Sequence, residues 1–298
     1  MRAIDLFCGC GGMSLGFQKA GFEMIAAYDN WKAAVETYNE NFDHAAHLRD
    51  ITDPELVNEL RAMGADIIIG GPPCQDFSIA GKGNHNGERA NLTATFSEIV
   101  CTIRPTYFVM ENVYNIEKMA ILEKAKRNFK EAGYGLTYKV FDASLMGVPQ
   151  ARKRFFMIGK LNADDNFILD VLDSQLSKKP MTVHEYLGDL LETEYYYMHP
   201  RSYARRAVFS VHEPSSTIRG VNRPIPQNYQ PHPADKTADI KKVKSLSTIE
   251  RSLIQTFPRS FKWNRSKTEN EQLIGNAVPV SMANYIAKSI LKFDETAD

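Results

Sequence analysis

Hydrophobic and polar positions alternate along the first 115 residues in a way that predicts strands and helices in turn. An apolar run at the amino terminus ends in "FCGCGG", and "MSLGFQKAGF" follows with helical spacing. Further strand-like runs are "FEMIAAYD", "ADIIIG" and "TYFVMEN", while the stretches 31–40, 53–63 and 92–103 have helical spacing. This alternation predicts an α/β fold, doubly wound around a mostly parallel sheet.

Small and polar residues fall where the predicted strands end, and ligands of parallel sheets bind beyond those ends. The residues concerned are Asp29, Asp50, Glu111 and the glycine-rich stretches 7–12 and 71–74. A glycine turn followed by Asp29 indicates an adenosine-bearing cofactor, because a carboxylate there can accept hydrogen bonds from both ribose hydroxyls. The turn does not distinguish NAD from S-adenosylmethionine, and a plain surface aspartate is the alternative for Asp29.

Four other side chains are candidates for chemistry. Cys74 follows two prolines, which restrict the backbone and fix the direction of the thiol, as suits a nucleophile. Glu111 ends an apolar strand, where a low dielectric raises the pKa of a carboxyl group. Arg152 and Arg154 stand two apart, so a strand would direct both guanidinium groups to one face. The plain alternatives are a core thiol, a surface glutamate and a solvated basic edge.

The composition changes near Leu161. Eight acids and only two lysines occupy the next forty residues, which predicts a linker or an exposed edge. Residues 195–233 combine five arginines with aromatic residues and prolines, a composition that predicts irregular loops, short strands and a recognition surface. Helical signals return at the end, with capping-box spacing between Ser247 and Glu250 and an amphipathic run over 280–291.

The bulk composition excludes several classes of protein. The 298 residues are 43% hydrophobic and carry a net charge of +0, values that are typical of a globular chain and not of a disordered one. No apolar run reaches the roughly 18 residues of a membrane helix, and the amino terminus enters a strand directly, so we expect a cytoplasmic protein. Four cysteines without a CxxC pair predict neither a disulfide scaffold nor a metal site.

Five motifs follow one another in a specific order: "DLFCGCGGMSLGF", "GGPPCQDFS", "ENV", "QARKRFF" and "LIGNAVPV". In this order, and over nearly the whole length, the chain resembles the DNA (cytosine-5) methyltransferases of bacterial restriction-modification systems. The resemblance implies a Rossmann-like, S-adenosylmethionine-dependent catalytic domain formed by residues 1–180 and 265–298. A small, irregular target-recognition domain would occupy residues 181–264.

The resemblance also implies a reaction and its residues. A monomer would flip one cytosine out of double-stranded DNA and methylate its C5, with a separate restriction endonuclease as a functional partner. Cys74 would add to C6, Glu111 would hold N3 and the amino group, Arg154 would fix the base, and Arg152 would hold the surrounding site.

Two further sets of residues follow from the resemblance. The set implied to bind the cofactor is Phe7, Gly9, Gly11, Gly12, Asp29, Asp50, Ile51, Pro73, Leu92, Asn276 and Val278. The set implied to contact DNA is Gln75, Ser78, Arg201, Arg205, Arg206, Arg219 and Arg223. The family often has an aromatic residue directly after the ribose-binding acid, whereas here Asn30 precedes Trp31, so the partner of the adenine stays open.

Three other functions compete with DNA methylation. The tRNA-directed branch of the family keeps the same cysteine and glutamate motifs, although the arginine-rich insert favours DNA. A catalytically silent nucleic-acid binder is disfavoured by the intact Cys74, Glu111, Arg152 and Arg154. A nicotinamide-dependent oxidoreductase would share the glycine turn but would also need a hydride-transfer site, and no motif for one is evident.

Overall fold

The structure is a computed structural model that describes residues 1–73, 92–202 and 204–297. Cys74, Gln75 and Ser78 therefore lie outside the described residues. The strands are β1 Arg2–Leu6, β2 Glu23–Asp29, β3 Ala46–Leu48, β4 Ile67–Gly70, β5 Tyr107–Val113, β6 Tyr134–Asp142, β7 Gln150–Ala151, β8 Lys153–Leu161, β9 Tyr195–Tyr197, β10 Val208–Ser210, β11 Ser215–Ser216 and β12 Val243–Ser245. The α-helices are α1 Gly12–Ala20, α2 Lys32–Asn39, α3 Pro54–Met63, α4 Leu92–Ile103, α5 Ala120–Glu131, α6 Leu169–Ser174, α7 Val183–Leu187, α8 Thr248–Ile254, α9 Lys267–Asn276 and α10 Val280–Ala297.

A seven-stranded sheet in the order β3-β2-β1-β4-β5-β8-β6 forms the centre of the molecule. The first five strands of this order are parallel, and β8 runs antiparallel to both of its neighbours. The predicted α/β class and the mostly parallel sheet are confirmed. The pattern did not indicate β3, because its three residues lie at the sheet edge and include two exposed side chains.

Helices cover both faces of the sheet, so the central strand β4 has no polar side chain. In β4, Ile67 and Ile69 enter one hydrophobic cluster while Ile68 enters another on the opposite face. On the first of these faces α1 packs against α10, and Gly16 allows the close approach, since a Cβ there would lie 2.5 Å from the Cβ of Ala283. This contact brings the last helix of the chain against the first.

The acidic stretch after β8 is not a free linker. Ile168 and Leu172, at the start of and within α6, are buried in the same cluster as the inward face of α10. The acids do lie at the surface, where Asp165 pairs with Lys130 and Asp173 with Lys139. The expected exposed edge is therefore present, but two apolar side chains anchor it to the core.

Residues 195–245 contribute a separate three-stranded sheet in the order β10-β9-β12. Around it lies a hydrophobic cluster of its own, which includes Tyr196, Phe209, Ile218 and Leu246. Most of the remaining described backbone between β10 and β12 is irregular, as the prolines predicted. The capping box predicted before α8 is present. Within the described ranges, no helix is both long enough and apolar enough to span a membrane.

Candidate active site

A cavity of about 420 Å³ lies beyond the carboxyl ends of β1, β2, β4 and β5. The short loops that leave these parallel strands form its wall, and the turn between α9 and α10 closes one side. Of the residues predicted to bind the cofactor, those in the wall are Phe7, Gly9, Gly12, Asp29, Pro73, Asn276 and Val278. The remaining four, which do not line the described part of the wall, are Gly11, Asp50, Ile51 and Leu92.

The glycine turn after β1 orients Asp29. Phe7 and Gly9 have positive φ angles of 66° and 54°, so the chain reverses direction within a few residues. The backbone N–H of Gly9 donates to Oδ2 of Asp29 at 2.8 Å, and that of Trp31 donates to Oδ1 at 2.8 Å. Each oxygen keeps a free lone pair for a hydroxyl donor. Trp31 and Asn30 both line the cavity beside this carboxylate.

Gly12 brings the carboxyl-terminal segment against the glycine turn. A Cβ on Gly12 would lie 2.3 Å from the carbonyl oxygen of Val278, so only glycine fits there. Gly11 faces away from the cavity toward Phe42, which a Cβ would meet at 2.4 Å. The late "GNAV" segment is therefore packed directly against the early glycine turn.

Asp5 is a buried acid in the cavity wall that sequence reasoning missed. Its Oδ2 accepts a hydrogen bond from Ser14 at 2.5 Å, while Oδ1 has no hydrogen-bond partner among the described residues. Burial raises the pKa of Asp5 to about 7, and burial also raises the pKa of Asp29. The available signal was an aspartate inside the otherwise apolar strand "RAIDL".

The cysteines at the glycine turn are buried and belong to the core. Cys8 and Cys10 pack in a cluster with Tyr38 and Phe257. Burial raises the pKa of both thiols, that of Cys10 to about 12, so neither is an activated nucleophile. Both thiols are therefore packing residues of the core.

Glu111 forms an ion pair with Arg154 at the edge of the cavity. The pair joins β5 to β8, with Nε of Arg154 2.9 Å from Oε1 of the glutamate. Glu111 is only 9% exposed, and burial raises the pKa of its carboxyl group against the opposing effect of Arg154. The predicted direction of this pKa shift is confirmed.

The residues around Glu111 hold the chain just before Cys74. Oε2 of Glu111 faces Gly71, where a Cβ would lie 3.1 Å from it. Nδ2 of Asn112 donates to the carbonyl oxygen of Pro72 at 2.9 Å. The strand that carries the glutamate thus fixes the backbone of the Pro-Pro segment, and the predicted nucleophile follows two residues after that hydrogen bond.

Arg152 and Arg154 both line a second, larger cleft, but their contacts differ. Arg152 is 1% exposed and donates to the backbone carbonyls of Ile218, Gly275 and Ala277. Among the described residues no carboxylate lies within ion-pair distance of it. The guanidinium group of Arg152 therefore binds backbone carbonyl oxygens, whereas that of Arg154 binds the carboxylate of Glu111.

The second cleft has a volume of about 1200 Å³ and adjoins the first, since both include Arg154, Gly275 and Asn276 in their walls. The arginines in its wall are Arg152, Arg154, Arg201, Arg205, Arg206 and Arg219. The pKa of Arg219 is lowered by burial and by the nearby charges of Arg201 and Arg205. This concentration of positive charge fits a polyanionic ligand.

Two arginines of the set implied to contact DNA, Arg206 and Arg223, lie in surroundings that differ from those of Arg201 and Arg205. Arg206 makes a bidentate ion pair with Glu213, at 3.0 and 2.7 Å, and its guanidinium group lies 4.3 Å from the ring centre of Phe209. Its charge is therefore already neutralised within the protein. Arg223 is exposed but is not part of the described cleft wall. Arg201 and Arg205 are exposed within the cleft.

The model of the C-5 cytosine-specific DNA methylases matches residues 1–217 and 199–292. The chain belongs to this family. It is 52% identical to the Type II methyltransferase M.HindV of Haemophilus influenzae over 297 residues, which cover 99% of this chain and 98% of that protein. It is 51% identical to the Type II methyltransferase M.HgiDI of Herpetosiphon aurantiacus over 291 residues, 97% of this chain and 94% of the other.

The fold of the methylase also matches solved structures. The S. pombe Dnmt2 methyltransferase superposes with a TM-score of 0.73 over 98% of both chains, at 18% sequence identity. At that identity the likeness concerns the fold. The match to the methylase family excludes the oxidoreductase alternative, and the enzyme is a DNA (cytosine-5) methyltransferase that uses S-adenosylmethionine.

The cavity fits that cofactor. S-adenosylmethionine carries a sulfonium charge, and the wall contains the acids Asp5, Asp29 and Glu111 against one arginine, Arg154. Two backbone N–H groups orient the carboxylate of Asp29. Each of its oxygens keeps a lone pair that can accept a hydrogen bond from a ribose hydroxyl. The unpartnered Oδ1 of Asp5 adds a further acceptor in the wall.

Proposed function

We propose that this methylase modifies one cytosine within a short sequence of double-stranded DNA and thereby protects the DNA of its cell in a restriction-modification system. It acts as a monomer in the cytoplasm, and its functional partner is a separate endonuclease of the same specificity. The two relatives named above support the proposal, since both are Type II methyltransferases and both align over nearly the whole chain.

One observation carries the assignment of roles: the Glu111–Arg154 pair stands where the acidic cavity meets the basic cleft. A cytosine swung out of a duplex in the cleft would meet this pair where the two cavities adjoin. Burial raises the pKa of Glu111, which favours sharing a proton with N3 of the base. Arg154 fixes the glutamate and the polar edge of the ring.

Cys74 completes the site as the nucleophile. Its thiolate adds to C6 of the flipped cytosine, and the electron pair of the 5,6 double bond makes C5 nucleophilic. Bound S-adenosylmethionine supplies the methyl group that C5 accepts. A base then removes the C5 proton, the 5,6 double bond re-forms and the thiolate leaves. The hydrogen bond from Asn112 to Pro72 supports this role by fixing the backbone two residues before the cysteine.

We further propose a discontinuous catalytic domain with an inserted target-recognition domain at about 181–264. The hydrophobic cluster around Tyr196 and Phe209 supports a separate core in the insert. We place the return to the catalytic domain near Phe257, earlier than residue 265, because Phe257 and Phe261 pack with Phe42 against the glycine-turn side.

The remaining predicted contacts belong to the same proposal. Asp50, Ile51 and Leu92 would approach the adenine from outside the described wall. Gln75 and Ser78 would contact DNA beside the flipped base. Arg201, Arg205 and Arg219 supply the basic surface of the cleft, while Arg206 acts through its ion pair with Glu213.

Bisulfite sequencing tests the proposal directly. Plasmid DNA from a host without cytosine methylation, expressing this chain, should contain unconverted cytosines at one position of a short repeated sequence. The matched Cys74→Ser variant should give full conversion while it retains binding to DNA. Full conversion with the unaltered protein, together with methyl transfer to tRNA, would overturn the DNA assignment. Protection that persists in Cys74→Ser would overturn the covalent mechanism alone.

A further inference from the structure

A buried polar network joins the basic cleft to the cofactor cavity. Two segments are involved. The arginine strap, residues 215–222, lines the cleft with its residues 215–220 and carries Arg219. The cavity wall segment, residues 273–278, contains Gly275, Asn276 and Ala277 of the cofactor cavity. They are distant in sequence and meet above β7.

Arg152 donates to both segments at once. Its Nη1 donates to the carbonyl oxygen of Ile218 in the strap at 2.8 Å. Its Nη2 donates to the carbonyl oxygens of Gly275 and Ala277 in the wall segment at 3.0 and 3.1 Å. The planar guanidinium fork fixes the angle between these donors, so the strap cannot move relative to the wall without loss of a hydrogen bond.

Two buried glutamines make a second connection between the same segments. Oε1 of Gln150 accepts from the backbone N–H of Ile218 at 2.9 Å, and its Nε2 donates to Oε1 of Gln255 at 2.8 Å. Nε2 of Gln255 in turn donates to the carbonyl oxygens of Ile274 and Ala277. Both side chains are fully buried, and each uses its oxygen and its nitrogen.

The two segments are also in direct contact. A Cβ on Gly275 would lie 2.1 Å from the backbone nitrogen of Gly220 and 2.3 Å from the carbonyl carbon of Arg219. Gly275 is part of the wall of both cavities. Strap and wall segment are therefore packed backbone to backbone as well as hydrogen-bonded through side chains, which leaves little room for independent motion.

We propose that Gln150, Arg152 and Gln255 are positioning residues that hold the arginine strap and the cofactor wall as one unit, so that occupation of the cofactor cavity strengthens DNA binding in the cleft. The proposal rests on the methylase function proposed above. None of the three side chains needs to touch either substrate, since each acts through the backbone of residues 218 and 274–277.

The test measures the coupling and not only the activity. The dissociation constant of the full-length protein for a labelled duplex with the methylated sequence is measured with and without saturating S-adenosylhomocysteine. We expect at least about five-fold tighter binding with S-adenosylhomocysteine, within the usual range for coupled sites. In Gln255→Leu this factor should fall to below two-fold. If that variant does not fold, Arg152→Lys, which keeps the charge but loses the fork, replaces it.

Gln175→Leu is the matched control. Gln175 also donates from its side-chain amide, to Val171 and Ser289, but it joins α6 to α10 and touches neither segment. Its coupling factor should equal that of the unaltered protein. A factor near one in the unaltered protein, an unchanged factor in Gln255→Leu, or an equal loss in both variants would each overturn the proposal. An unaltered protein that does not methylate DNA would instead overturn the proposed function.

Discussion

The two cavities of this methylase differ in charge. The wall of the smaller one contains three acids and one arginine, and burial raises the pKa of each acid. The wall of the larger one contains six arginines and Lys153 against one aspartate, Asp142. An acidic wall suits a cofactor with a sulfonium charge, and a basic wall suits a phosphate backbone.

This difference explains how a chain with a net charge of +0 binds DNA. The sum of the charges is zero, but positive charge is concentrated on the cleft, where it attracts a polyanion. The acidic cavity and the basic cleft meet at an ion pair between the acid Glu111 and the base Arg154. Glu111 therefore keeps its raised pKa at the edge of a basic surface, because burial outweighs the neighbouring arginines.

Glu111→Gln removes the acid at that boundary and should have the largest effect on enzyme activity. The glutamine keeps the shape of the side chain but cannot deliver a proton to the ring, so we expect kcat to fall by about 10²–10⁴-fold. Binding of S-adenosylhomocysteine should change little, as titration calorimetry can check. The exposed Glu117→Gln, six residues later, is the control. A kcat within about three-fold of that of the unaltered enzyme would show that a group other than Glu111 delivers the proton to the ring.

Local pattern was sufficient to predict the acidic cavity because it is built on strand ends. Each strand from β1 to β5 except β3 is an apolar run buried on both faces, and the residue that follows the run reaches the site. Phe7, Asp29 and Glu111 could therefore be named without coordinates. Asp5 could not, because one polar residue within an apolar strand gives no sign of the direction it faces.

The basic cleft was less predictable, since its contacts join distant parts of the chain. Arg206 belongs to the arginine cluster by composition, but its pairing with Glu213 depends on how the short strands fold. Arg152 reaches carbonyl groups 66 and 125 positions away. No sequence pattern marks a backbone carbonyl as an acceptor, so spacing alone indicated only a pair of arginines on one face.

Asp29→Ala tests the acidic cavity through the cofactor. Loss of a charged acceptor for hydroxyl groups costs about 1.5–3 kcal/mol, so KM for S-adenosylmethionine should rise by roughly 10–100-fold. The change in kcat should be smaller, because the same hydrogen bonds are present in the ground state and in the transition state. Asp43→Ala, at an exposed position after α2, is the control. An unchanged KM would show that the ribose is held elsewhere.

The smallest expected effects are on DNA binding by variants of the cleft arginines, which should not all contribute equally. Arg201→Ala and Arg205→Ala should each weaken duplex binding several-fold, and each should lower the slope of log Kd against log salt concentration by about 0.9 for every phosphate that the variant no longer neutralises. Arg206→Ala should leave that slope unchanged and lower the melting temperature, since its charge already pairs with Glu213. If Arg206→Ala changes the slope as much as the other two, the ion pair opens when DNA binds. The basic surface would then include an arginine that the free protein holds neutralised.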